Sequence, residues 1–134
     1  DIMYQQSASK MYAQIDVESE ILNASPYQLI QILFNGALSA LRRALILMEQ
    51  GNIAGKGENI SKAINIIGNG LKQGLDKEKG EELAENLALL YDYMITQLLD
   101  ANLKNNPEKI HEVIKLLTEI SDAWQQIGTQ INSY

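Results

Sequence analysis

The stretch from Ala24 to Met48 does most to limit what this chain can fold into. Ser25 can serve as an N-cap, Pro26 suits the first helical position, and Gln28 falls where a capping box places its Glu or Gln. Ile30, Leu33, Ala37, Ala40, Ala44 and Leu47 then recur at spacings of three and four, which lays one apolar seam along a helix. Phe34, Leu38, Leu41, Leu45 and Met48 make a second stripe beside it. One seam closes a bundle. Two seams predict a helix that holds something else or packs on two sides.

Length and charge narrow the class. A chain of 134 residues at 46% hydrophobic makes one domain and can bury roughly two-thirds of its unfolded surface. With no cysteine, it can form neither disulfides nor a thiolate metal site or thiol nucleophile, a usage that fits a reducing cytoplasm. Its apolar runs are short, which predicts no membrane insertion, and the N-terminus lacks the apolar core of a signal peptide. Nucleic acid is not an expected partner, because the net charge is −6 and the Lys and Arg are scattered among acids. Asp1 and Ile2 precede Met3, which reads as the natural start after a two-residue remnant of expression.

The pattern predicts an all-α fold, an antiparallel up-down four-helix bundle over residues 24–134 preceded by an N-terminal arm over 1–23. In the arm, Tyr4, Met11, Tyr12, Ile15, Val17, Ile21 and Leu22 are isolated apolar points. The first helix is expected from Pro26 to Gln50, ending at Gly51, and the second from the cap Asn52 to about Gly74. Gly68, Gly70 and Gly74 weaken the end of the second, each by up to about 1 kcal/mol relative to Ala. After a charged turn at Asp76–Gly80, a third helix is expected from about Glu78 to Asn105. It carries Leu83, Leu87, Leu90, Met94 and Leu98 inward, with Ala84, Ala88, Tyr91, Ile95 and Leu99 alongside. Asn106 and Pro107 start a fourth, whose seam runs through Ile110, Leu117, Ile120, Trp124 and Ile127. Leu33, Ala37, Ile64, Ile67, Leu87, Met94, Leu117 and Trp124 are expected to be buried.

Residues able to carry chemistry are scarce. Glu108-x-x-His111 has the spacing found in di-iron bundles, but such sites need the motif twice, and His111 is the only histidine. Glu78, Glu81, Glu82 and Glu85 crowd a helix start, where the dipole favours negative charge. Gly68-x-Gly70 follows no strand, so a phosphate cradle does not fit. The expectation is a protein that is not an enzyme and uses no metal or cofactor.

The ordered set of pieces resembles the FliS family of flagellar export chaperones. Those pieces are Ala24-Ser25-Pro26, Leu33-Phe34-Asn35-Gly36-Ala37, Glu49-Gln50-Gly51-Asn52, Leu75-Asp76-Lys77-Glu78, Tyr91-Asp92-Tyr93-Met94 and Asp122-Ala123-Trp124, with Tyr4 and Tyr12 in the arm. Asn35 and Gly68 stand where family members often carry acids. The resemblance implies a cytoplasmic chaperone that wraps the disordered C-terminal segment of flagellin around the bundle. Binding would prevent premature polymerisation and assist flagellar type III export. It also implies handover to the membrane export gate, and an anti-sigma factor as a further partner. The client surface it implies comprises Tyr4, Tyr12, Pro26, Leu29, Phe34, Leu38, Leu41, Leu45, Met48, Tyr91, Ile95 and Leu99. The arm is expected to cover part of that surface when the client is absent. The alternative is a helical scaffold domain that self-associates through the same apolar surface.

Overall fold

Ser25 starts the first helix by the predicted device. Its Oγ accepts from the Gln28 amide at 3.2 Å, and Gln28 Oε1 accepts from the Ser25 amide at 2.9 Å. With Pro26 supplying a preset φ at the first position, two orphan donors are satisfied and α1 runs Pro26–Glu49 in the computed structural model, which describes residues 24–132. Gly51, at φ 75°, turns the chain out of α1. Asn52 then accepts from the Gly55 amide at 2.9 Å and opens α2, Ile53–Asn65.

The expected single helix to Gly74 instead widens into a π-helical segment, Ile66–Lys72. The glycines show why the backbone can lie here. A Cβ on Gly70 would stand 3.2 Å from a Leu33 methyl of α1, and one on Gly68 would stand 3.3 Å from Ile95. The bare backbone thus wedges between neighbours while Ile66, Ile67 and Leu71 fill the core around it. Asp76 caps α3, Lys77–Lys104, by accepting from the amides of Glu78 and Lys79, both at 3.1 Å. The expected charged turn is therefore the first turn of α3, set off from the rest by Glu81 at φ 49°, ψ −127°. Asn105 ends α3 in the left-handed conformation, and Asn106 accepts from the Glu108 amide at 3.0 Å to start α4, Pro107–Asn132.

Short connections make successive helices antiparallel, and the four close into a ring. α1 packs on α2 and α4, while α3 packs on α4 and on α2 with its π segment. No strand occurs among the described residues. By length and composition α1 could cross a membrane, but half of its apolar window is buried inside the bundle. Having two neighbours, α1 buries both its stripes as far as Ala44: Phe34, Leu38 and Leu41 are buried like Leu33 and Ala37, whereas Leu45, Leu47 and Met48 are half-buried. Met94, Leu98, Ile110, Val113 and Leu117 complete the centre. Between α2 and α3, buried Lys56 donates from Nζ to the Asn102 carbonyl at 2.9 Å, satisfying a last-turn acceptor that α3 itself cannot pair.

Three residues expected in the core are only half-buried: Ile64, Leu87 and Trp124. On α3 the expected seam holds from Met94 through Leu98 to Ala101, but over the first half of the helix the inward face is turned by about one residue from the leucines. Ala84, Ala88, Tyr91, Met94, Leu98 and Ala101 point in, whereas Leu83 is 66% exposed. Ile127, expected in the α4 seam, is exposed as well.

Candidate functional site

The turn of α3 leaves a space. Near the start of that helix Ala84 and Ala88 take the buried positions, and Leu83 and Leu87 face a space beside the core. The result is an apolar groove of about 370 Å³ between α1, α3 and α4. Ile30 and Phe34 form its α1 side, Leu83, Leu87 and Tyr91 its α3 side, and Ile120, Ala123, Trp124 and Ile127 its α4 side. Leu75 closes one end, and Glu119 is the only charged lining residue.

Trp124 is held at the groove by a paired contact between α1 and α4. Its ring stacks on Tyr27 with centroids 5.3 Å apart and planes 16° from parallel. Its Nε1 donates to the Tyr27 carbonyl at 3.1 Å, and the Tyr27 hydroxyl donates back to the Gln125 carbonyl at 3.3 Å. Gly128 makes room for the stack, since a Cβ there would fall 1.9 Å from the Tyr27 ring. Tyr91, opposite, is 3% exposed, and burial pushes its phenol far above the usual tyrosine range. It stays neutral.

Polar contacts on the outer side fix α3 to α4. The Glu112 carboxylate accepts from Gln97 at 3.0 Å and from the Tyr93 hydroxyl at 2.9 Å; these bonds hold its pKa below the usual range. The same bond to Glu112 raises the Tyr93 phenol. Asp100, hydrogen-bonded first by Lys109 and then by Lys104, is likewise lowered.

Of the residues named in advance as client-binding, the groove gathers Phe34 and Tyr91. Leu29, Leu38 and Leu41 are buried against the neighbours of α1 and offer no free surface in this arrangement, because a ring of four helices encloses α1 on two sides. Leu45 and Met48 line a second cavity, about 670 Å³, at the far end of α1, where Ile53, Pro107 and exposed His111 also lie. Ile95 borders a polar depression of about 380 Å³ beside Lys72 and Asp92, which are ion-paired at 2.6 Å. Leu99 is exposed on the outer face of α3, and Pro26 is exposed at the start of α1. Tyr4 and Tyr12, and with them the expected covering arm, lie outside the described residues. Sequence reasoning missed Ile30, Leu75, Leu83, Leu87, Glu119, Ile120, Ala123, Trp124 and Ile127 as lining. The signal lay in Leu83 and Leu87, which fall one position before Ala84 and Ala88 and share the side of α3 that borders the groove.

Known proteins match along nearly the whole chain. The family described as flagellar protein FliS matches residues 8–131. The flagellar secretion chaperone FliS of Salmonella typhimurium is 59% identical over 126 residues, covering 94% of this chain and 93% of that relative. Its counterpart in Escherichia coli is 49% identical over 92% of this chain and 91% of the relative. The flagellar secretion chaperone FliS of Bacillus subtilis is 33% identical over 81% of this chain and 80% of that relative.

Proposed function

The chain belongs to the FliS family of flagellar proteins, and we propose that it is a cytoplasmic chaperone whose client is the C-terminal segment of flagellin. The observation that carries this reading is the open groove between α1, α3 and α4, apolar on three sides. An amphipathic helix laid in such a groove, with anchors at i, i+3 or i+4, and i+7, is a general recognition mode. A client that is disordered when free loses part of its gross binding energy to ordering, so it needs a continuous apolar seat. Wrapping beyond the groove would bring the segment to the cavity at Leu45 and Met48. Held in this way, the segment is unavailable for polymerisation until it is handed to the membrane export gate. An anti-sigma factor is the further partner that the family resemblance suggests.

Mass in solution with and without the flagellin C-terminal peptide tests the reading. A one-to-one complex is expected. A dimer indifferent to peptide would overturn it in favour of the self-associating scaffold, for which exposed Leu89, Leu99 and Leu103 on the outer face of α3 are the available surface.

A further inference from the structure

Resting on that reading of the groove, we propose that Glu119 selects and orients the client: its carboxylate pairs with a Lys or Arg that flanks the apolar stripe of the client helix. Glu119 is the only charged residue on a wall otherwise built from aliphatic and aromatic side chains. It is exposed on α4, and among the described residues it makes no ion pair or hydrogen bond. Lys115, one helical turn away, forms no bridge to it. A carboxylate at the border of an apolar seat loses water when a helix is laid there. The incoming chain must then pair it, or the carboxylate opposes binding.

The place of Glu119 along the groove adds a direction. Gln31 of α1 bonds Ser121 of α4 at 2.9 Å, and Tyr27 reaches Gln125, so rising numbers on α1 meet falling numbers on α4. α3 runs the same way as α1. Phe34, Tyr91 and Glu119 therefore share one end of the groove, and Leu75, Leu83 and Ile127 the other. Charge at one end only makes the seat asymmetric. A client helix with its base at the matching end satisfies both the apolar wall and the carboxylate. A Lys or Arg suits this place because its stem can lie on the wall while its charged head stays at the rim. A helix lying the other way round, or one aliphatic throughout, covers Glu119 unpaired, and a helix with an acid there meets like charge.

A charge swap tests this with the full-length chain and the flagellin C-terminal segment. Glu119→Gln should leave the melting temperature of the free protein unchanged and weaken binding by about two- to fivefold at low salt. Glu119→Lys should weaken it further, by about tenfold, and high salt should narrow both differences. Replacing the segment's Lys and Arg residues by Glu one at a time should then find one change that weakens binding to the wild type and restores binding to the Lys variant. The base found in this way marks the end of the client helix that lies beside Phe34 and Tyr91. Equal affinity in wild type, Gln and Lys variants would overturn the proposal while leaving the client reading intact. So would the absence of any restoring swap. A lowered melting temperature in the Gln variant would overturn it too, by showing that the carboxylate already serves the free fold. Failure of the wild type to bind the segment at all would instead remove the client reading on which the proposal rests.

Discussion

α1 and α3 look alike as sequence, each long and each carrying two apolar stripes, yet the bundle uses them in opposite ways. α1 lies against α2 and α4 and buries both stripes down to Leu38 and Leu41. α3 buries a face of small residues near its start and leaves Leu83, Leu89, Leu99 and Leu103 turned outward. Apolarity alone therefore does not locate the core; which side of each helix meets a neighbour does. Ala37, Ala40 and Ala44 of α1 stand inward and the interior closes over them, whereas Leu83 and Leu87 of α3 border the open groove.

The contrast is sharpest in a pair of truncations. Leu41→Ala should cost about 2–5 kcal/mol in denaturant unfolding, through lost burial and a cavity, and Leu41→Asp should unfold the chain outright. Leu89→Ala on the outer face of α3 should stay within about 0.5 kcal/mol of wild type. Equal costs would break the distinction between the two helices. Next in size is Gly128→Ala. Its added methyl collides with the Tyr27 ring, so a loss of about 1–3 kcal/mol is expected despite the better helix former. A gain in melting temperature would show that the Tyr27–Trp124 stack does not hold α1 and α4 together at the groove.

A smaller effect, of opposite sign, is expected at the entrance to α3. Glu81 sits at φ 49°, ψ −127°, a conformation glycine adopts without penalty. Glu81→Gly should stabilise the chain by about 1 kcal/mol, and a clear loss would mean that the kink is not strained. The smallest effect is alkaline. Tyr91 and Tyr93 both have phenols raised in the fold, the first by burial and the second by its bond to Glu112. Their protonated forms are favoured in the native state, so stability is kept below about pH 10 and falls as the pH rises beyond it. Tyr93→Phe should flatten the part of that fall that comes from the α3–α4 contact, as read by thermal melts between about pH 9 and pH 11, roughly one unit either side of the free phenol value.

Helix ends were legible because caps are local chemistry. Ser25 with Gln28, Asn52 before Gly55, and Asn106 before Pro107 each act within three residues. The α1 seam was legible too, since apolar residues at helical spacing over six positions admit few other solutions. The groove was not, because its walls depend on which way α3 is turned, and a shift of one residue exchanges Leu83 for Ala84 inside the bundle. The π segment escaped for a related reason. Gly68 and Gly70 signal a weak helix, but that weakness becomes a widened backbone only where Leu33 and Ile95 press against it. Trp124 looked like core from its place in a clean seam, but there the seam borders the open groove, with the Tyr27 ring stacked on the indole.

That position of Trp124 gives the molecule a built-in optical gauge. It is the only tryptophan in the chain, it stacks on Tyr27, and one side of its indole borders the groove. All indole emission therefore arises from the wall that a bound helix would cover. A seated client takes the half-wet ring out of water and shifts that emission toward the blue, without any label. Binding elsewhere on the bundle leaves the colour of the light unchanged.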